Sequence, residues 1–313
     1  MMQSSRVLFF FLVVFSVFLA ACSAQGPEGP VGPAGPAGPM GPIGPAGDPA
    51  SASQEYIGSE QCGSCHEDKY ADFILSGHHS SLTSVENGQA PVWPYDDVTG
   101  GVPEPPEGYS WDDVSYVVGG FAWQARFVDQ NGYVITGDEN AATQYNFAND
   151  EVGTEAGWVP LHAGEEMPFD CGACHTTGYT PDGHQDGMEG IIGSWDFIGV
   201  QCEVCHGPGS RHAADPAGVA MVIDRDSQAC GACHYRDERV LIQASDGFAE
   251  HNQQFNELYN SKHFALSCVA CHDPHASVVY ADEELNPNQG IRQRCETCHW
   301  QNEFQKNKMH LGL

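Results

Sequence analysis

The sequence predicts a mostly irregular and α-helical fold with a small β insertion and an interior that side chains alone do not fill. Three observations predict it. Residues 55–313 contain six copies of a Cys-x-x-Cys-His string, which leaves only short segments between most copies. The segment 85–170 has no such string and is rich in β-branched and aromatic residues. The chain also has 36 glycines and 20 prolines, which favour turns and interrupt regular elements.

The charge of the chain argues against two classes of partner. Twelve Lys and Arg residues against 42 Asp and Glu residues give a formal net charge of −30 at pH 7. A polyanion is repelled by nucleic acid and by anionic lipid, so neither is expected as a ligand. Thirteen cysteines are too many for an ordinary reduced cytosolic protein.

Residues 1–21 are predicted to be a lipoprotein signal peptide. Arg6 gives the segment a positive start, and the apolar run that follows is short for a membrane span. The run ends in Leu-Ala-Ala-Cys, which resembles a bacterial lipoprotein cleavage box and implies lipid attachment at Cys22, in an anchor site at 22–25. An ordinary signal peptide followed by a coincidental cysteine is the alternative. Either interpretation predicts an exported protein, and the first predicts a lipid anchor in the cell envelope, at the outer membrane or cell surface.

A stalk is predicted at 26–49, where glycine occupies every third position in eight Gly-x-y triplets. This period is the signature of the collagen triple helix, in which only glycine fits the axis. Two interpretations stay open: a single polyproline II chain, or self-association of three chains through the stalk. As a single extended chain, the stalk would reach roughly 70 Å, at about 3.1 Å for each residue.

The segment 85–170 is predicted to be the β insertion of a domain that covers 55–313. The stretch VSYVVGGFAWQARFV, 114–128, alternates in part, and Asn131-Gly132 predicts a type I′ hairpin turn before the next strand. In the string-dense region 171–313, one helix is predicted. Its N-cap and helically spaced residues are Asp246, Phe248, His251, Phe255, Leu258 and Tyr259.

The six strings predict six covalently attached haem c groups. In each, two thiols add to the vinyl groups of a haem and the adjacent histidine binds the iron as proximal ligand. Zinc would leave that histidine unexplained, and disulfides across two residues would be strained. In chain order, the first to sixth strings are Cys62, Cys65 and His66; Cys171, Cys174 and His175; Cys202, Cys205 and His206; Cys230, Cys233 and His234; Cys268, Cys271 and His272; and Cys295, Cys298 and His299.

The spacing of the strings predicts that haems fill the interior. The domain provides 259 residues for six strings, about 43 for each, which is too few for a conventional side-chain core to dominate. Neighbouring haems are therefore expected to lie close together, as electron transfer between them requires.

Histidines outside the strings are the candidates for the distal iron ligands. His212 lies six residues after His206 across a Gly-Pro-Gly turn, so we expect it to ligate a neighbouring haem. Nine such histidines for six irons predict low-spin iron with two histidine ligands and no open position. Met167, Met188 or Met309 is the alternative ligand for one haem. The nine histidines are His78, His79, His162, His184, His212, His251, His263, His275 and His310.

Five stretches resemble bacterial multihaem cytochromes c of the cytochrome c554-like group, and the resemblance covers most of 56–300. They are SGHHSSL, DDVSYVVGGFAWQARF, HAGEEMPFDCGACHTTGY, GVQCEVCHGPGSRH and SKHFALSCVACHDPH. The stalk departs from that pattern. The resemblance implies a mostly irregular and helical multihaem cytochrome c fold with haems packed in parallel-stacked and perpendicular pairs. It implies that the distal ligands are His78, His162, His212, His251, His263 and His275. His79 is an alternative to His78, and His184 and His310 are weaker candidates.

The function expected from these features is electron transfer and not catalysis. Electrons would pass between membrane-linked donors and a periplasmic or extracellular acceptor, with redox proteins as partners and the membrane contacted through the lipid anchor only. Two alternatives stay open. One is a reductase of nitrite, hydroxylamine or a sulfur oxyanion that uses one haem with an open position. The other is a subunit of a polymeric cytochrome filament.

Overall fold

A computed structural model describes residues 54–148, 155–235, 254–279 and 290–299, which all fall within the unit Ala52–Leu313. The predicted signal peptide, anchor site and stalk lie outside the described residues. So do Asp246, Phe248, His251, Met309 and His310. In the described part, no helix combines the length and the apolar character of a membrane span.

The described helices are short, and most carry part of a Cys-x-x-Cys-His string. Isolated helices of fewer than about 12 residues are marginal in water, so tertiary contacts must hold these in place. The helices are α1 Ser59–Gly63, α2 Glu67–Phe73, α3 Asp96–Thr99, α4 Gly172–His175, α5 Cys202–His206, α6 Ser210–Ala214, α7 Ser227–Gly231, α8 Gln254–Asn260 and α9 Cys295–Cys298. Three 3₁₀ turns lie at Trp111–Asp113, Gln185–Gly187 and Cys268–Ala270.

Strands β1 to β7 form one antiparallel sheet in the order β1-β2-β3-β4-β7, with β5 paired to β3 and β6 paired to β5. The strands are β1 Leu82–Ser84, β2 Val114–Gly119, β3 Gln124–Asp129, β4 Tyr133–Val134, β5 Gln144–Asn146, β6 Gly157–Val159 and β7 Met167–Pro168. A separate pair joins β8 Thr176–Thr177 to β9 Phe197–Ile198. This mixture of short helices and small sheets agrees with the predicted irregular fold.

Both faces of the central strands are buried, each against its own hydrophobic cluster. Val117 and Phe127 pair across β2 and β3 and belong to the first cluster, with Trp93 and Trp111. Tyr116 and Val118 point to the opposite face, because side chains alternate along a strand. They belong to the second cluster, whose other buried residues are Leu82, Val128, Val134, Leu161, Phe169, Ile191 and Trp195. The second cluster also contacts Cys171, so the sheet helps to position the second string.

The hairpin turn between β3 and β4 differs from the type I′ turn predicted at Asn131-Gly132. A type I′ turn needs positive φ at both central residues, but here only Gly132 has a positive φ, 90°. The Asp129 carboxylate accepts hydrogen bonds from the backbone N–H groups of Asn131, at 2.8 Å, and Tyr133, at 2.9 Å. That side chain stabilises a different turn, and the type I′ prediction is wrong.

The helix predicted in the string-dense region is confirmed over its described part. Helix α8, Gln254–Asn260, includes Phe255, Leu258 and Tyr259. The ring of Phe255 packs on that of Tyr259 at a centroid distance of 4.6 Å, as helical spacing of four residues allows.

Candidate haem sites

The backbones of the first five strings each fold as one helical turn that brings the three reactive side chains to one side. The N–H of His66 donates to the carbonyl of Cys62 at 3.0 Å. The same bond closes the second, fourth and fifth strings at 3.1, 3.0 and 2.9 Å. Residues i, i+3 and i+4 share a helix face, so the two thiols and the imidazole project together. That is the arrangement needed for two thioether bonds and a proximal ligand to one haem.

The second cysteines of the strings differ in their exposure to solvent. Cys65, Cys205 and Cys298 are exposed, whereas Cys174, Cys233 and Cys271 are partly buried. None of these six thiols forms a disulfide within the part of the chain that the structure describes. Haem attachment through them stays a prediction.

The fifth string is tied to the segment that leads to the sixth. Its 3₁₀ turn ends at Ala270, and the carbonyl of Cys271 accepts from the backbone N–H of Arg292 at 2.7 Å. His272 forms an isolated antiparallel β-bridge with Ile291. These backbone contacts fix the second thiol and the imidazole of this string relative to the start of the next string.

A haem iron and a bare metal ion need different numbers of ligands from the protein. Over the described ranges, no three His, Cys, Asp or Glu side chains are grouped to hold a metal ion by themselves. A haem iron needs only two axial ligands from the protein, because the porphyrin supplies the other four. A pair of imidazoles is therefore enough to hold one haem iron.

Three imidazoles of the sites are held in the tautomer that metal ligation requires. His206 donates Nδ1–H to the carbonyl of Val222 at 2.6 Å, and His175 donates to that of Ser81 at 2.8 Å. His212 donates to the carbonyl of Val219 at 2.6 Å. A carbonyl oxygen only accepts, so the proton must lie on Nδ1 and the lone pair on Nε2. The chemistry of these groups therefore fits haem iron.

Two proximal imidazoles face predicted distal ligands in parallel pairs. The rings of His66 and His212 have centroids 6.3 Å apart and planes 16° apart. Those of His206 and His275 are 6.2 Å and 9° apart. A metal–imidazole bond is about 2 Å long, so two imidazoles on opposite sides of one metal ion have ring centroids about 6 Å apart. Both pairs have that separation.

Two more proximal imidazoles form pairs whose planes are closer to perpendicular. His78 and His234 have ring centroids 6.1 Å apart at 68°, and His263 and His299 have centroids 5.8 Å apart at 78°. Burial and, to a smaller extent, the nearby His234 ring lower the pKa of His78 to about 4. His79 instead has its ring edge against Phe73, at 5.4 Å. Of the two adjacent histidines, His78 is the one that faces a string.

The four ring pairs involve the first, third, fourth and sixth strings. The proximal histidines of the other two strings are His175 and His272. Iron ligation by all six proximal histidines stays a prediction. The distal ligands predicted for the remaining sites are His162 and His251, the second of which lies outside the described residues.

Other candidate ligands in the described residues lie elsewhere. His162 contacts the Glu165 carboxylate at 3.1 Å with about half of its side chain exposed. His184 donates to the Ile191 carbonyl at 2.6 Å. Met167 and Met188 pack against the second cluster. None of these four residues belongs to the ring pairs described above, and ligation by His162 stays a prediction.

Contacts between cysteines bring different strings together. The Cys62 thiol is hydrogen-bonded to Cys202, which raises the pKa of Cys62 and lowers that of Cys202 to about 6. The same kind of contact joins Cys230 to Cys268 and Cys174 to Cys233. Three pairs of strings are therefore neighbours: the first and the third, the fourth and the fifth, and the second and the fourth.

The contact between the first and third strings is repeated between the fourth and fifth. The Ser59 hydroxyl accepts from the N–H of Cys202 at 2.9 Å, and the Ser227 hydroxyl accepts from that of Cys268 at 3.0 Å. Each serine stands three residues before the first cysteine of its own string. One arrangement of local structure thus joins two different pairs of strings.

Glu203 is a structural residue that sequence reasoning missed. It lies between the two cysteines of the third string, and only 1% of it is exposed. Its carboxylate accepts from the N–H groups of Ile57 at 2.9 Å, Gly58 at 2.8 Å and Gly209 at 2.7 Å. These bonds join the start of the domain to the Gly-Pro-Gly turn before His212. An acidic residue in that position gives no signal of burial.

Asp273 is a second charged residue that the sequence did not single out. It follows the fifth string and contacts His275, Arg292 and Lys69. Burial raises the pKa of Asp273, but hydrogen bonds from His275 and Arg292 and the charge of Lys69 outweigh burial and bring it to about 2.

Comparisons with known proteins agree with this chemistry. The profile of the family described as Cytochrome c554 and c-prime matches residues 140–207, which include the second and third strings. The chain is 26% identical over 138 residues to the multiheme cytochrome MtrA of Shewanella baltica (strain OS185), covering 39% of this chain and 35% of MtrA. The chain therefore spans about a third of the length of that curated relative.

The fold is similar to that of octaheme sulfite reductase MccA of Wolinella succinogenes, with a TM-score of 0.50 and 16% identity. That likeness covers 80% of this chain and 51% of MccA, and it concerns the fold alone. An undecaheme cytochrome from the S-layer of Carboxydothermus ferrireducens is similar at a TM-score of 0.47 and 18% identity, over 80% of this chain and 43% of the other.

Proposed function

We propose that this chain, a multihaem c-type cytochrome of electron transfer, carries six haems and conducts electrons through iron sites that are each closed by two imidazoles. The main support is the pairing of histidines from different parts of the sequence at the separation that one iron requires. The proposed pairs are His66 with His212, His234 with His78, His206 with His275 and His299 with His263. His162 and His251 stay the predicted distal ligands of the other two sites, whose proximal ligands would be His175 and His272.

The haem iron, when bound, takes up and releases one electron at each site. Two imidazoles leave no position for a substrate, so the residues hold a site that changes oxidation state without binding one. The Nδ1–H bonds to backbone carbonyls keep the rings of His206 and His212 fixed in both oxidation states. A fixed coordination sphere reorganises little, which favours fast transfer.

Contacts between strings support a continuous path. The cysteine contacts join the first string to the third, the second to the fourth, and the fourth to the fifth. The proposed ligand His78 follows the first string and would link the first string to the fourth. The proposed ligand His263 precedes the fifth string and would link the fifth string to the sixth. Haems attached at these positions would lie close enough for transfer along the chain.

The proposed location is the bacterial cell envelope. Cys22 would carry the lipid, and the stalk at 26–49 would hold the domain away from the membrane, within reach of a redox-protein partner or an extracellular acceptor. Labelling with a radioactive fatty acid tests the anchor, and Cys22→Ser should abolish the label.

Carbon monoxide binding tests the closed iron sites. The reduced protein should bind little carbon monoxide, whereas His212→Ala should open one site and bind about one equivalent, with a high-spin signal. His184→Ala is the matched control, because His184 belongs to none of the four proposed ligand pairs, and it should behave as the parent protein. Substantial binding by the parent protein, or none by His212→Ala, would contradict the proposal.

A reductase is the second candidate, because the fold is shared with a sulfite reductase. Steady-state reduction of sulfite, nitrite or hydroxylamine by the chemically reduced protein separates the two candidates. Turnover that His212→Ala leaves unchanged would indicate a different, open iron site.

A further inference from the structure

We propose that Asp273 is a positioning residue that orients His275 and gives the iron shared by His206 and His275 a lower reduction potential than the iron shared by His66 and His212. The inference rests on the proposed function, because it requires those two pairs to be iron ligands. If the two sites differ in reduction potential, electron transfer between them is favoured in one direction, towards the site with the higher potential.

One oxygen of Asp273 holds both the backbone and the ring of His275. Asp273 Oδ1 lies 2.8 Å from His275 Nδ1 and accepts from the His275 backbone N–H at 3.1 Å. A carboxylate only accepts, so the ring proton lies on Nδ1 and the Nε2 lone pair is available for a metal. The ring is held nearly parallel to that of His206, with planes 9° apart.

The second oxygen of Asp273 is occupied by cations. Oδ2 lies 3.2 Å from Arg292 Nη2 and 3.8 Å from Lys69 Nζ. The Asp273 side chain is 20% exposed, so these contacts are only partly screened by water. The two oxygens thus make different contacts. Oδ1 accepts the hydrogen bond of the imidazole, and Oδ2 forms the ion pairs that keep the carboxylate in place.

The other site has a different acceptor at the same ring atom. His212 donates Nδ1–H to a neutral carbonyl, that of Val219, at 2.6 Å. His275 donates to a carboxylate, which is the stronger acceptor and increases the basicity of the bound imidazole. A more basic ligand stabilises the ferric state over the ferrous state. The two parallel imidazole pairs can therefore be compared within one molecule, because they differ in the group that accepts the Nδ1 proton of the distal histidine.

Redox titration followed by electron paramagnetic resonance tests the proposal on the full chain with its haems attached. The ferric signal lost in His275→Ala identifies the relevant site. In Asp273→Asn, the reduction potential of that site should rise by roughly 59 mV. For one electron, this corresponds to a change of about tenfold in the equilibrium constant for reduction. Asp273→Glu should restore most of the lower potential.

The matched control is Asp215→Asn, which also removes one carboxylate. Asp215 is exposed and accepts from the backbone N–H of Gly218 at 3.0 Å. It should leave the potential of the site formed by His206 and His275 unchanged.

An unchanged potential in Asp273→Asn, with low-spin signals and haem content intact, would overturn the role of Asp273. If instead His275→Ala leaves every low-spin signal in place, the proposed ligation itself is wrong. The two failures are therefore distinguishable.

Discussion

Residues 82–195 and residues 199–299 are stabilised in different ways. The first region contains nearly all of the buried hydrophobic side chains, including Phe127, Phe169 and Ile191, each 0% exposed. In the described part of the second region, Ala276 is the single hydrophobic residue that is buried. There, Ile223 is 70% exposed and Phe264 is 62% exposed.

The difference follows from where the strings lie. The sheet forms mostly from a long segment that contains no string, so its alternating apolar side chains can pack into one hydrophobic cluster on each face. The second region contains four of the six strings, and its helices are only a few residues long. In that region, hydrogen bonds of polar side chains such as Glu203 and Ser227 join segments that are distant in sequence, as apolar packing does in the sheet. That packed haems form the rest of the core stays a prediction.

The largest expected effect comes from loss of one haem attachment. Cys230→Ser with Cys233→Ser removes both thiols of the fourth string, which contacts the second and fifth. We expect new protease cleavage sites within 199–299 and none within 82–195, because the fourth string lies in the second region and buried apolar side chains stabilise the first. Limited proteolysis with mass spectrometry measures this.

The matched control for that experiment is Ala232→Ser, which changes the same string but keeps both cysteines. It should retain the haem content of the parent protein, measured by mass, and the cleavage pattern of the parent protein. New cleavage sites spread equally over both regions would show that the two regions are not stabilised differently.

A smaller effect is expected from a cavity in the sheet. Phe127 is fully buried and contacts the rings of Trp111 and Trp158. Phe127→Ala should lower the free energy of unfolding by about 3–5 kcal/mol, through lost burial and the cavity left behind. Denaturant unfolding followed by circular dichroism measures the loss.

Val92→Ala is the control for Phe127→Ala, because Val92 is 85% exposed in the same region. Its effect should stay within about 0.5 kcal/mol. A cost below about 1 kcal/mol for Phe127→Ala would mean that side-chain packing does not stabilise the sheet.

The smallest of the three effects is expected at Glu203. Glu203→Ala leaves the N–H groups of Ile57, Gly58 and Gly209, the last two of them buried, without their acceptor, at a cost of about 1–3 kcal/mol. Faster amide exchange at Gly58 should accompany the loss. Glu60→Ala, an exposed neighbour, should change neither quantity. Unchanged exchange in Glu203→Ala would show that polar contacts contribute little to the second region.

Local features of the molecule were predictable from the sequence. Each string folds within five residues, so the residue types and their spacing are enough to indicate two thiols and an imidazole on one side of a turn. The β-rich composition of 114–128 likewise indicated strands, because alternation is a local pattern. The turn after β3 was mispredicted, since the Asp129 side chain competes for the same backbone groups.

Only the tertiary structure decided which histidines meet. The sequence indicated that His212 serves a neighbouring site but did not give His66 as its partner, which lies far away along the chain. It left His78 and His79 open, and packing of His79 on Phe73 turns the other ring towards His234. A covalent attachment string is specified by adjacent residues, whereas a ligand pair is specified by the packing of segments distant in sequence. Residue spacing within one segment carries no information about that packing.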